Sequence, residues 1–227
     1  MRIGVIADIH GNSSGLSAVF ADMERLNIEH ILIAGDFVGY YPYVNEAFSL
    51  LRSKNVTCVL GNHDCYLLDR ISVSEDLRLS YKLDYIERII SENNMEWLSG
   101  LPVLRRFELG GLNWILCHGS PWSIEEYIYP DSSDLERFAE LEADIVVMGH
   151  SHIPMVHRAG DVLLVNPGSC GQPRDYNPLA SYAVVETEIR EVEIRRVPYD
   201  VNTVCKRLAE EGYEQELIDI LTRTSGE

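Results

Sequence analysis

The sequence predicts an α/β protein in which two packed β-sheets carry helices on their outer faces. Two observations lead to this prediction. Strand and helix patterns alternate through the first part of the chain, which is typical of parallel strands joined by helical crossovers. From Val103 onward, short β-rich runs follow one another and two helical segments close the chain.

The first part of the chain alternates between buried strands and amphipathic helices. Ile3–Ala7, His30–Ala34 and Val56–Leu60 are short apolar runs typical of buried strands. Between them, Ser14–Leu26 and Tyr43–Ser53 carry apolar residues at helical spacing. The order predicts parallel pairing with right-handed crossovers. In such sheets, ligands collect at the carboxyl ends of the strands.

Residues 64–100 differ in character from the segments on either side. Apolar residues such as Leu77, Leu83 and Ile90 recur at helical spacing among charged ones and predict one amphipathic helix over Glu75–Asn93. We interpret the segment as a helical insertion that flanks the site. The chain, residues 1–227, is then expected to form one domain, since its length suits a single sizeable core.

The second part of the chain is predicted to be mostly β-structure. Val103–Leu109 and Leu112–Cys117 flank a Gly-Gly pair and predict a hairpin. A helix is predicted near Ser132–Leu141. Further short strands are predicted at Asp144–Met148, Met155–Arg158, Val162–Val165, Ser181–Glu186 and Val192–Val197. The closing helices are predicted at Val201–Glu211 and Glu214–Thr222.

Composition excludes several classes of partner. The formal charge of −17 argues against long nucleic acid, whose phosphates are held mainly by Lys and Arg. A small phosphorylated substrate stays compatible, because bound metal ions supply local positive charge. No apolar run approaches the roughly 20 residues that a membrane span needs. Five cysteines without a Cys-x-x-Cys pair, and a strand-like start without a signal peptide, predict a reducing, cytoplasmic location.

Metal-capable side chains stand directly after three predicted strands. Asp8 follows the first strand, Asp36 the second and Asn62 the third. Each one alone is also compatible with an ordinary turn residue. Because the carboxyl ends of parallel strands meet at one edge of a sheet, we expect the three side chains to converge. Asp36, emerging after Gly35, is suited to bridge two metal ions about 3.5–4 Å apart.

Five of the seven histidines fall in short motifs beside Gly, Asp or Asn. The motifs are Asp8-Ile9-His10, Gly61-Asn62-His63-Asp64, Cys117-His118-Gly119 and Gly149-His150-Ser151-His152. Side chains two residues apart on an extended segment point the same way and can share one ion. Carboxylate, imidazole and amide oxygen suit borderline divalent metals, and the inventory is large enough for two ions. His30 and His157 lack such neighbours and are interpreted as structural.

Other positions are candidates for substrate contacts. His63 could donate a proton to a leaving oxygen. Arg174 is a candidate phosphate contact, because a guanidinium matches phosphate oxygens, although a surface arginine is an equal alternative. Asn12 could offer its amide to substrate or form a helix-entry turn. Tyr40, in an aromatic stretch, could flank a substrate base or belong to a packed loop.

Taken in order, the motifs resemble those of the calcineurin-like metallophosphoesterase superfamily. The match runs from residue 3 to about residue 186. The run Asn166-Pro167-Gly168-Ser169, with Gly171-Gln172-Pro173-Arg174 and Ala180-Ser181-Tyr182-Ala183 after it, is similar to the small bacterial and archaeal phosphodiesterase branch. The resemblance implies a four-layer αββα sandwich with two mixed β-sheets flanked by helices, and a pair of metals at the edge between the sheets.

The resemblance also implies a role for each motif residue. Asp8, His10 and His152 match the ligands of a first metal. Asn62, His118 and His150 match the ligands of a second, and Asp36 matches the bridge. His63 matches the acid, or transition-state-stabilising, histidine. The family uses pairs of Mn, Fe, Zn or Ni ions, and the sequence does not choose among them.

The chain departs from the protein-phosphatase branch at two positions. That branch carries an Asp that orients the acid histidine and an Arg that holds phosphate, where this chain has Gly39 and Tyr40. Several relatives also carry a further Arg near the position of Leu179. His63 is therefore expected to lack its carboxylate partner, unless Asp64 or a backbone carbonyl replaces it, and phosphoprotein phosphatase activity is disfavoured.

The function expected from these features is metal-dependent phosphohydrolysis. We expect a phosphodiesterase that acts on a small nucleotide-type substrate. One alternative is a dinucleoside polyphosphate hydrolase. An alternative of another class is a non-catalytic metal-binding interaction or regulatory protein of the same fold. The sequence carries no prediction of oligomeric state.

Overall fold

A computed structural model describes residues 1–224 of the chain. The strands are β1 Arg2–Ile6, β2 His30–Ala34, β3 Val56–Val59, β4 Leu104–Leu109, β5 Leu112–Cys117, β6 Ile145–Val147, β7 Met155–Ala159, β8 Val162–Asn166, β9 Ala180–Glu186 and β10 Glu191–Val197. The helices are α1 Ser13–Arg25, α2 Val44–Leu51, α3 Asn62–Leu67, α4 Glu75–Ser80, α5 Leu83–Ile89, α6 Glu92–Ser99, α7 Val201–Glu210 and α8 Gln215–Asp219, with a 3₁₀-helix at Leu135–Glu140.

The strands form two mixed five-stranded sheets. The first has the order β10-β9-β1-β2-β3. Strands β1, β2 and β3 are parallel to one another, β9 is antiparallel to β1, and β10 is antiparallel to β9. The second has the order β4-β5-β6-β8-β7, with β5, β6 and β8 parallel between two antiparallel edge strands. Helices flank the sheets, so the predicted α/β sandwich of two mixed sheets is confirmed.

The two sheets pack against each other through one apolar layer. Ile3 and Val5 of β1 belong to the same buried cluster as Trp114 of the second sheet. Ile6 points to the opposite face, where it shares a cluster with Phe20 of α1. The alternation follows from the two-residue period of a strand. Burying each such aliphatic side chain stabilises the fold by about 1.5–3 kcal/mol.

The outer face of the second sheet is covered by the 3₁₀-helix Leu135–Glu140. Its Phe138 is fully buried against Val146 of β6 and Leu164 of β8. The helix predicted near Ser132–Leu141 is therefore present as a shorter, tighter helix. The closing helices α7 and α8 contribute to a separate cluster with Tyr40, Tyr41 and Tyr43, so these two helices pack against the loop that follows β2.

The single helix predicted over Glu75–Asn93 is wrong, because three short helices occupy this region. Lys82 adopts a left-handed backbone conformation (φ 59°) and separates α4 from α5. Ser91 then starts α6, since its side chain accepts from the Asn94 N–H. The 13 residues of α1 form the longest helix. Within residues 1–224, none of the helices combines the length and apolarity needed to cross a bilayer.

Candidate metal centre

Seven predicted ligands converge at the carboxyl ends of parallel strands from both sheets. The residues after β1, β2 and β3 supply part of the set, and the residues after β5 and β6 supply the rest. All seven side chains belong to buried residues, with exposures between 0% and 5%: Asp8, His10, Asp36, Asn62, His118, His150 and His152. The predicted convergence at one edge is observed.

Distances within the cluster bring six ligand-type side chains into overlapping groups. Asp8, His10 and His152 form one set, His10, Asp36 and His63 a second, and Asp8, Asp36 and His118 a third, with ligand atoms within 4.8 Å of one another in each. The closest contacts between a carboxylate and an imidazole ring nitrogen are those of Asp36 Oδ2 with His118 Nε2 (3.3 Å) and of Asp8 Oδ1 with His152 Nε2 (3.5 Å). Asp8 and Asp36 thus stand at the middle of the cluster.

Four histidines have one ring nitrogen hydrogen-bonded to a backbone carbonyl. Nδ1 donates to Val38 O in His10 (2.9 Å), to Ala34 O in His118 (2.6 Å) and to Gln172 O in His152 (2.6 Å). In His150 it is Nε2 that donates, to Glu125 O (3.2 Å). A carbonyl only accepts, so each neutral ring keeps its lone pair on the other nitrogen. Such outer hydrogen bonds are typical of metal-binding histidines.

The free lone pairs of His10 and His152 face each other. Their Nε2 atoms lie 3.1 Å apart, and the Nδ1 atom of each ring already carries the proton. Two acceptors at this distance repel each other unless a cation accepts both lone pairs. Nε2 of His118, in contrast, lies 3.0 Å from Oδ1 of Asn62 and can donate a proton to it. The donor set therefore fits a metal ion on chemical grounds.

Electrostatics at the centre favour positive charge at His118 and neutral rings elsewhere. Burial lowers the pKa of His10 to about 4 and the pKa of His150 to about 3. Burial also disfavours charge on His118, but Asp36 and Asp8 outweigh it and raise the pKa of His118 to about 9. Near neutral pH the protein therefore holds a cation beside the ionised Asp36, and a bound metal would take over that charge.

Five of the seven side chains sit on left-handed backbone. The φ values are 56° at Asp8, 48° at His10, 56° at Asp36, 67° at His150 and 58° at His152. For residues with a β-carbon this conformation costs on the order of 1 kcal/mol each. The turns direct the side chains into the cluster at the expense of local backbone stability.

Asp64 organises the loop after β2 and does not contact the ring of His63. Its carboxylate accepts the N–H groups of Asp36 (2.9 Å), Phe37 (3.0 Å), Val38 (3.2 Å) and Gly61 (2.9 Å). Nδ1 of His63 is buried and has no hydrogen-bond partner among residues 1–224. As expected, His63 lacks a carboxylate partner at Nδ1. The alternative, replacement by Asp64 or by a backbone carbonyl, is not found, because Asp64 is committed to four amides.

Aromatic rings hold His63 instead. Its ring centroid lies 4.1 Å from that of Tyr81, 4.9 Å from Tyr40 and 4.8 Å from His10. The backbone N–H of His63 donates to Oδ1 of Asp36 (2.9 Å), and this bond fixes the backbone at His63. Tyr81 was not foreseen from the sequence, because it lies between α4 and α5 and reaches the centre only through the folding of the inserted helices.

Arg174 is half-buried at the rim of the centre. Its guanidinium donates to Tyr40 Oη (2.9 Å) and to Gln172 Oε1 (2.9 Å). Gln172 is fully buried and also donates to Tyr41 Oη (3.0 Å), so it positions Arg174 from behind. Arg174 was predicted from the sequence as a substrate contact, but a role for Gln172 was not. The position of Gln172 two residues before Arg174, in the same motif, could have indicated it.

Asn12 lies away from any substrate surface. It is fully buried and caps α1, since Oδ1 accepts the Gly15 N–H (3.1 Å). Its Nδ2 donates to Gly171 O (2.8 Å). Both ends of the amide are engaged, which matches the helix-entry alternative, and we do not retain Asn12 as a substrate contact. His30 (bonded to Thr57) and His157 also lie outside the cluster.

Comparison with known proteins agrees with this geometry. The family model of the calcineurin-like phosphoesterase superfamily domain matches residues 1–190. An uncharacterised protein of Methanocaldococcus jannaschii is 33% identical over 91% of each chain. A phosphodiesterase of the same organism is 25% identical over 75% of this chain and 84% of its own.

A solved structure supports the same assignment. The crystal structure of a metallophosphoesterase from Sphaerobacter thermophilus superimposes with a TM-score of 0.85 at 29% identity and covers 99% of each chain. Fold, buried cluster and sequence similarity agree over most of the chain. The chain belongs to the calcineurin-like phosphoesterase superfamily and is a metallophosphoesterase.

Proposed function

We propose that this metallophosphoesterase uses two metal ions to hydrolyse phosphodiester bonds in a small nucleotide-type substrate. Asp8, His10 and His152 would hold the first ion. Asn62, His118 and His150 would hold the second, with Asp36 shared between them. The observation that carries the proposal is the 3.1 Å approach of two unprotonated Nε2 atoms in His10 and His152. Nitrogen and oxygen ligands of this kind suit Mn, Fe, Zn or Ni.

The chemistry that such a pair supplies when bound is water activated for attack near neutral pH, together with positive charge opposite the phosphoryl oxygens. The protein residues have the task of keeping the ligands rigid. The four backbone carbonyls orient the imidazoles, and Asp64 holds the loop that carries Asp36. Little rearrangement is then needed during the reaction.

His63 is proposed to stabilise the leaving oxygen. Burial lowers the pKa of His63 well below its usual value, so the ring is neutral. A neutral imidazole has one N–H to donate, and Tyr81 and Tyr40 hold the ring in place. Donation from a neutral ring stabilises a leaving anion less than full proton transfer does. We therefore expect faster hydrolysis of esters with acidic leaving alcohols or phenols.

Arg174 is proposed to contact the phosphoryl group. Its guanidinium is preorganised by Tyr40 and Gln172 and stands at the rim of the buried cluster. A single guanidinium beside a strongly acidic chain of net charge −17 suits the monoanionic phosphate of a diester better than a dianionic monoester. This balance favours diesterase over monoesterase activity.

One set of assays tests the proposal. Metal content is measured, and the Mn-supplemented protein is offered bis(p-nitrophenyl) phosphate, p-nitrophenyl phosphate and a dinucleoside polyphosphate side by side. We expect the diester to turn over fastest. Asp36→Asn should lose most activity and at least one metal. Asp69→Asn is the matched control, because Asp69 is exposed and has the same left-handed backbone (φ 52°).

The remaining outcomes decide between the alternatives. Comparable monoester turnover would contradict the diesterase preference. Faster cleavage of the dinucleoside polyphosphate would favour the polyphosphate hydrolase. Full activity of Asp36→Asn with two metals bound would contradict the shared-ligand role. Absence of turnover on all three substrates in the metal-loaded protein would favour a binding or regulatory protein of the same fold.

A further inference from the structure

Two exposed tyrosines stack on each other beside the metal centre. Tyr127 is 46% exposed and Tyr129 is 37% exposed. Their rings are parallel to within 6°, with centroids 5.8 Å apart. The ring of Tyr127 also packs on the imidazole of His150 at 3.9 Å. We call Tyr127 and Tyr129 the aromatic platform; it combines solvent exposure with direct contact to a proposed metal ligand.

The segment that carries the platform is held from several sides. The Glu125 carbonyl accepts from His150 (3.2 Å), and the Glu125 carboxylate accepts from the Tyr66 hydroxyl. The next residue, Glu126, accepts from Ser120 and pairs with Arg137 (2.8 Å). Because these contacts order the segment before a ligand arrives, binding to the platform would lose little conformational entropy.

The surroundings of the platform favour a planar, uncharged group. Burial raises the pKa of the Tyr127 hydroxyl, and the nearby charge of Arg174, the proposed phosphoryl contact, opposes the rise. The carboxylates of the two residues that precede Tyr127, Glu125 and Glu126, are already bonded within the protein. A nucleobase is planar and uncharged, and it is linked to phosphate through its sugar. Stacking of bases on exposed tyrosines is a common mode of recognition.

We infer that the aromatic platform stacks against the nucleobase of the nucleoside that stays attached to phosphorus during hydrolysis. The inference rests on the proposed diesterase function and names its substrate class. His63, proposed for the leaving oxygen, has its ring contacts with Tyr40, Tyr66, Tyr81 and His10. The platform contacts His150 instead, which assigns it to the retained side of the diester.

Two diesters that differ only in the base test the inference. Thymidine 5′-(p-nitrophenyl) phosphate and its abasic deoxyribose counterpart release the same p-nitrophenolate. We expect the wild-type protein to favour the thymidine ester by roughly tenfold in kcat/KM and in Kd from calorimetry. Tyr127→Ala should bring both ratios close to one, and Tyr127→Phe should keep them. Tyr85→Ala is the control, because Tyr85 is also exposed (37%) but packs on Tyr213.

The ratios separate recognition from damage to the site. Any loss from disturbing His150 affects both diesters and cancels in the ratio. A wild-type ratio near one, or a ratio that Tyr127→Ala leaves unchanged, would overturn the inference. If neither diester is hydrolysed, the diesterase proposal fails, and the Kd ratio alone then decides whether the platform binds a base.

Discussion

Gly39 packs so closely on His63 that a β-carbon at Gly39 would overlap Nδ1 of the imidazole. Gly39 also has a φ of 99°, which residues with a side chain rarely adopt. In this chain the position that carries a carboxylate in the protein-phosphatase branch is therefore filled by the ring of His63 itself. The two arrangements exclude each other within this backbone.

Gly39→Ala should lower activity while the metals stay bound. The methyl group must displace the His63 ring, and loss of its contact with the leaving oxygen is expected to lower kcat by roughly 100-fold. Activity and metal content are measured together. Gly111→Ala is the matched control, because Gly111 also has a positive φ (76°) but faces open space. Equal activity of the two variants would contradict the proposed role of His63.

Tyr40→Phe should weaken substrate binding more than it slows the reaction. The change removes the hydroxyl that accepts from Arg174 (2.9 Å) but keeps the ring packed against His63. Gln172 still holds Arg174, so we expect KM for a diester to rise about threefold to tenfold. Tyr176→Phe, at an exposed position with a similar φ (60°), should leave KM unchanged. A fall in kcat at constant KM would argue against a substrate-binding role for Arg174.

Much of the fold was predictable because apolar strands leave a strong local signal. The predicted bounds of His30–Ala34 are those of β2. The prediction of one helix over Glu75–Asn93 failed because the helix is interrupted at Lys82 and Ser91. The sequence signals for these interruptions are local and weaker than the helical spacing of the apolar residues.

The metal cluster was predictable because its side chains follow strand ends. The groups that orient them were not, because a backbone carbonyl such as Val38 O or Gln172 O has no residue-type signature. Tyr81 and Tyr127 reach the centre through segments whose placement depends on the tertiary fold. Asp64 was considered as a partner of His63 because the two residues are adjacent in sequence. Sequence adjacency does not show that the Asp64 carboxylate turns toward backbone amides instead.

Metal affinity should rise with pH. The pKa of His118 is raised to about 9, because Asp36 and Asp8 outweigh the opposing effect of burial. Below that pH a metal must displace the His118 proton, so the apparent affinity should increase up to about tenfold per pH unit as the pH approaches the pKa. Competition with a chelator between about pH 6 and about pH 8 measures the slope. His118→Asn should reduce the slope without abolishing it, because burial raises the pKa of Asp8 to about 7 and a metal must displace that proton as well; a slope equal to that of the wild-type protein would contradict the role of His118.

The left-handed backbone at the proposed metal ligands should lower the free energy of unfolding. At His10 (φ 48°) we expect His10→Gly to be more stable than His10→Ala by about 1 kcal/mol, because glycine adopts this conformation freely. The measurement is urea unfolding of the metal-free variants. His30 lies in β2, where the order should reverse, with alanine more stable than glycine by about 0.5–1 kcal/mol. The same order at both positions would argue against backbone strain at His10.

The central claim is that the buried cluster binds two metal ions. Anomalous diffraction from crystals soaked in Mn²⁺ tests it most directly. We predict two anomalous peaks, one contacting Asp8, His10 and His152 and the other contacting Asn62, His118 and His150, with Asp36 between them. A single peak, or two peaks that do not contact these side chains, would contradict the account.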